Sequence, residues 1–137
     1  MSLDFITIDF ETANTYANSA CSVGLVRFIG GKENGSVYSL IHSAKMYFIP
    51  EWTEQIHHIS YDDVRDKPYF PEVWDTIITP FINENLELPF VAHNACFDMN
   101  VSGTLLRNEV KQMRGATGLT VLALILTCVA ALRCYLF

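Results

Sequence analysis

The stretch LDFITIDFET, residues 3–12, decides how this chain is read. Residues 3–10 are largely apolar and read as a strand, with the imperfect alternation expected where both faces are covered. Two carboxylates, Asp9 and Glu11, end the run. Residues i and i+2 of a strand face the same way, so both acids can reach one point beyond its end. PFVAHN, residues 89–94, reads as a short buried strand, and Asp98 follows in the first turn of the next helix. If the two strands are neighbours, three acids converge at the sheet edge where open α/β folds place their active sites. Such a cluster repels itself and calls for cations, and its oxygen ligands suit Mg²⁺ or Mn²⁺. Two such ions can activate water and stabilise a leaving oxygen in phosphoryl transfer. A plainer reading stands beside this one, because acids also cap strand ends and first helical turns.

Outward from β-forming residues 3–10, SACSVGLVRFI (19–29) and SVYSLIH (36–42) read as two more strands, linked by the turn GGKENG (30–35). A largely antiparallel, three-stranded start follows. Pro50 opens a short helix to about His57, and Ser60 with Asp63 caps another short helical turn. Val73, Ile77, Ile78, Phe81 and Ile82 form a helical stripe that Pro80 is expected to distort. A helix is expected from Phe97, with a rough stripe at Val101, Leu105, Val110 and Met113, weakened by Gly103.

The chain has 137 residues, enough for one domain with a real core. Half of it is apolar, which argues against general disorder. The net charge of −6 argues against gripping nucleic acid by electrostatics alone, though not against meeting phosphates through bound metal. Cys21, Cys96, Cys128 and Cys134 form no CxxC pair, and their wide spacing is expected of reduced core thiols in a cytoplasmic protein.

IDFET together with HNACFD resembles the first two motifs of the DEDD-type 3′–5′ exonucleases, the family of ribonuclease T, oligoribonuclease and the proofreading subunit of bacterial DNA polymerase III. The linker IPEWTEQIHHISYDDVRDKPYFPEVW is similar to theirs, with His58 where glycine is usual, a departure expected to strain a turn. The resemblance runs from residue 3 to about residue 101. It implies a ribonuclease H-like α/β fold, a mixed sheet flanked by helices, incomplete at the C-terminus. It also implies Asp9, Glu11 and Asp98 as catalytic metal ligands for Mg²⁺ or Mn²⁺, and Thr12, Asn94 and Phe97 beside the terminal nucleotide. His93 and Ala95 match the rest of the second motif. The implied activity is phosphodiester hydrolysis from the 3′ ends of single-stranded DNA or short RNA, with polymerase association or a homodimer as further partners.

The family also carries a fourth aspartate with a histidine five residues before it, which acts as general base. In this chain Glu109 is the only acid beyond Asp98, and no histidine follows His93. His42, His57 and His58 read as surface residues. The expectation is therefore an exonuclease domain with little or no activity in this form, the alternative being a non-catalytic module that binds nucleic acid or protein on the same scaffold. Residues 1–101 are assigned to the exonuclease-like part and 102–137 to a divergent apolar tail. Residues 115–132 are uncharged. Three readings of the tail stay open: a shifted reading frame, a divergent final helix, or a membrane anchor.

Overall fold

The structure, a computed structural model, describes residues 4–44, 47–83 and 88–112. Four strands form one sheet in the order β3-β2-β1-β4. β1 (Phe5–Thr12), β2 (Ala20–Ile29) and β3 (Lys32–Leu40) pair antiparallel in sequence, and β4 (Phe90–Val91) lies parallel to β1. The connection from β3 to β4 carries α1 (Pro50–Gln55), α2 (Tyr61–Val64) and α3 (Phe70–Val73). A π-helical segment (Trp74–Ile78) and α4 (Thr79–Asn83) continue from α3, and α5 (Ala95–Gln112) follows β4. This is a mixed α/β architecture, a mixed sheet flanked by helices, as the sequence resemblance implies.

The β2–β3 turn is tighter than its composition indicates. Ile29 pairs directly with Lys32, leaving only Gly30 and Gly31 between the strands. Both adopt positive φ, 58° and 75°, the pair of conformations a type I′ hairpin requires. KEN, read as turn, therefore belongs to β3. β1 likewise runs two residues past Phe10, because Glu11 and Thr12 still pair with Ser22 and Ala20 across a register shift.

Ile6, Ile8 and Phe10 of β1 join Val23 and Leu25 of β2 in a core completed by Phe70, Val73, Trp74, Ile78, Phe81 and Val101. Each such side chain contributes about 1.5–3 kcal/mol when fully buried. The helices after residue 70 therefore take this face of the sheet, and Asp9 and Glu11 are left on the other. The π segment has a local cause. Pro80 has no N–H to continue the α-helical ladder, and the Thr79 N–H reaches back five residues to the Trp74 carbonyl. The expected distortion at Pro80 is thus observed, as is the Ser60–Asp63 cap: the Asp63 carboxylate accepts the Ser60 N–H at 2.8 Å and its hydroxyl at 2.6 Å.

α5 runs unbroken across residues 101 and 102. The apolar stretch 115–132, Cys128 and Cys134 lie outside the described residues. Among the described residues, no helix is long and apolar enough to cross a membrane.

Candidate functional site

The site starts from a backbone problem. Alternate N–H groups of β1, beginning with Ile6, point toward β4, and Ile6 donates to the Pro89 carbonyl at 2.9 Å. β4 stops at Val91, so it cannot serve Phe10. Asp98 takes over: its Oδ1 accepts the Phe10 N–H at 3.2 Å, joining residues 88 positions apart. A buried N–H left without a partner would cost about 1–3 kcal/mol. Asp98 is itself buried, 4 % exposed, and is placed by the first turn of α5. Asn94 starts that turn, its carbonyl accepting the N–H groups of Phe97 and Asp98 at 2.8 and 3.1 Å.

The Asp98 carboxylate is pushed up to about 6, first by burial and then by the charge of Asp9, against the Phe10 N–H and His93, which favour the anion. Glu11 is raised by burial, then by Asp9, then by Asp98. The three acids are thus within electrostatic reach of one another, and their mutual repulsion raises Glu11 and Asp98 further than burial alone. Among the described residues, no three acid, histidine or cysteine side chains close tightly enough to form a ready-made metal site. The donor chemistry nevertheless fits a hard divalent cation, since every donor is a carboxylate oxygen and a cation would relieve the repulsion.

Asp9 and Glu11 line an open cleft of about 270 Å³ with Ser22, Gly24, Tyr38, His57 and Ile59. Gly24 pairs with Asp9 on one side and Tyr38 on the other, and the Tyr38 ring lies close over it. The other motif residues divide. Thr12 is buried at the end of β1; Asn94 is exposed at the head of α5; Phe97 is 38 % exposed, outside the core. Cys21 is buried and its thiol is pushed up to about 12 by burial and by Glu11, whereas Cys96 is exposed, against its reading as a core residue.

Histidine placement also departs from expectation. His42 is half-buried against Tyr69, with Nδ1 2.8 Å from the Arg65 carbonyl. His57, read as a surface residue, is half-buried and lines the acid cleft. No local pattern in the sequence signalled this, because it follows from how the linker folds back over β2. His58 has φ 57°, the only positive φ at a non-glycine among the described residues, so the expected strain where glycine is usual is present.

Comparison with known proteins supplies the family. A comparison with curated protein sequences finds no match. Exonuclease X, solved in complex with 5′ overhanging duplex DNA, matches with a TM-score of 0.57 and 26 % identity over 71 % of this chain and 52 % of its own. Cell-death related nuclease 4 matches with a TM-score of 0.55 and 16 % identity over 85 % of this chain and 50 % of its own, a likeness of fold. The chain therefore spans about half the length of each of these solved relatives. The RNase T exonuclease model matches residues 6–129. With that pattern running through most of its length, and through both acid-bearing motifs, the chain belongs to the RNase T family of DEDD-type 3′–5′ exonucleases.

Proposed function

We propose that this domain binds single-stranded 3′ ends of DNA or short RNA at the acid cleft with the help of Mg²⁺ or Mn²⁺, and hydrolyses them weakly or not at all in this form. The observation that carries the reading is the Asp98 carboxylate, brought across 88 residues onto the Phe10 N–H and raised by burial and then by Asp9. Asp9, Glu11 and Asp98 would hold the metal. A bound divalent cation would supply activation of water and stabilisation of the leaving oxygen. Thr12, Asn94 and Phe97 flank the acids in the two motifs and would contact the terminal nucleotide, with Phe97 free to stack on a base. Duplex DNA with a single-stranded overhang, the ligand of exonuclease X, supports nucleic acid as the partner class. These 137 residues hold no histidine after His93 and no aspartate after Asp98, and a general base alone contributes about 10²–10⁴-fold, so the expectation of weak turnover concerns these residues by themselves.

The test pairs binding with turnover. Calorimetry should show Mn²⁺ and a short single-stranded oligonucleotide binding to the full chain, with Mn²⁺ binding lost in Asp9→Asn. Nucleotide release should be slow or absent. Rapid metal-dependent release of mononucleotides would remove the claim of weak activity. Oligonucleotide binding that ignores Mn²⁺ would instead support a non-catalytic binding module.

A further inference from the structure

His57 lines the cleft beside Asp9 and Glu11, the position from which an imidazole could replace the absent general base. Its hydrogen bonding excludes that role. The Ile59 N–H donates to His57 Nδ1 at 3.0 Å, so Nδ1 presents its lone pair inward. A neutral imidazole has one donor and one acceptor nitrogen, so its proton then sits on Nε2. Nε2 is buried and makes no hydrogen bond of ordinary geometry. Water in the cleft thus meets no free lone pair, because one is held by Ile59 and the other nitrogen carries the proton. Burial lowers the ring's pKa from the usual histidine value, while the Thr12 backbone lies close enough to oppose this.

The same contacts assign another task. His58 turns through the left-handed region, and the Ile59 N–H that follows is tied back to the His57 ring. The backbone of Thr12, the residue after Glu11, also reaches the imidazole closely enough to act on its proton, and with Nδ1 engaged by Ile59 the nitrogen left for it is Nε2. We infer that His57 is a positioning residue and not a base: Nδ1 locks the left-handed turn, and the Nε2 side of the ring braces the end of β1 that carries Glu11 and Thr12. The functional half of this inference rests on the nuclease reading of the cleft; the hydrogen-bonding half does not.

Two experiments on the full chain test it. Nitrogen-15 NMR of the imidazoles should find the His57 proton on Nε2 across neutral pH; a proton on Nδ1 overturns the inference. The variants separate the two nitrogens. His57→Asn keeps an acceptor at the δ position, and His57→Gln offers a donor at the ε position instead. Slow exchange of the Ile59 amide should survive in His57→Asn and be lost in His57→Gln; equal protection in both removes the claimed lock. Thymidine 5′-monophosphate binding with Mn²⁺ should weaken about three- to tenfold in His57→Asn, which has nothing at the ε position, and less in His57→Gln; unchanged binding in His57→Asn removes the positioning role. A base would show the reverse pattern, with binding kept and any turnover down about 10²–10⁴-fold. If Mn²⁺ fails to bind the parent chain, the nuclease reading falls while the proton's position still decides the rest.

Discussion

β1 has two faces with opposite economies. Ile6, Ile8 and Phe10 are all buried against the helices, while Asp9 and Glu11, interleaved with them, face a cleft where burial and the charge of Asp9 raise Glu11, and the same two causes raise nearby Asp98. One face lowers the free energy of the fold. The other raises it, and a bound cation would reverse that. The comparison teaches that stability and function share eight residues here without sharing side chains.

The largest expected effect lies on the buried face. Ile6 is fully buried, so Ile6→Ala should cost about 2–5 kcal/mol in urea unfolding. A loss below 1 kcal/mol would break the contrast between the faces. Next, Mn²⁺ should stabilise the chain by about 2.7 kcal/mol at a hundredfold excess over Kd. Thermal unfolding should show this gain in the parent and in conservative core variants, and lose it in Asp9→Asn; a gain that persists there places the metal elsewhere.

A third, smaller effect concerns pH without metal. The Asp98 carboxyl is raised in the folded state, so the unfolded chain releases its proton first. Its contribution is therefore most favourable below about pH 4, declines as pH rises toward about 6, and is level above that. The decline should be about 2 kcal/mol after allowance for solvent in the cleft. Glu11 acts in the same direction. Asp98→Asn, which retains an acceptor for the Phe10 N–H, should remove the Asp98 part of the decline. An unchanged pH profile would show that neither burial nor Asp9 raises the Asp98 carboxyl in the folded state. The smallest effect is at the cleft's rim: His58→Gly should relieve the left-handed turn and stabilise by about 0.5–1 kcal/mol in the same unfolding assay. A loss would mean that His58 makes contacts that outweigh its backbone strain.

Much of this was legible in the sequence because it is local. Period-two alternation set Asp9 and Glu11 on one face and Pro80 announced a helix irregularity, while the strained turn at His58 was expected from the family resemblance, where glycine is usual. The strand reading of PFVAHN extended the acid cluster to Asp98, and the resemblance of IDFET and HNACFD to family motifs added the expected metal-ligand roles. The turn at Gly30–Gly31 was placed too broadly, because polar residues 32–34 look like loop until β2 offers them a ladder to join.

What the sequence determined by itself was which side chains share a face, since that follows from backbone repeat alone. Only the tertiary structure decided what those faces meet. The early end of β4 left the Phe10 N–H for Asp98, and the folding back of the linker brought His57 into the acid cleft with one nitrogen already engaged. Such contacts depend on where strands stop and how distant segments close, and no short-range periodicity encodes either.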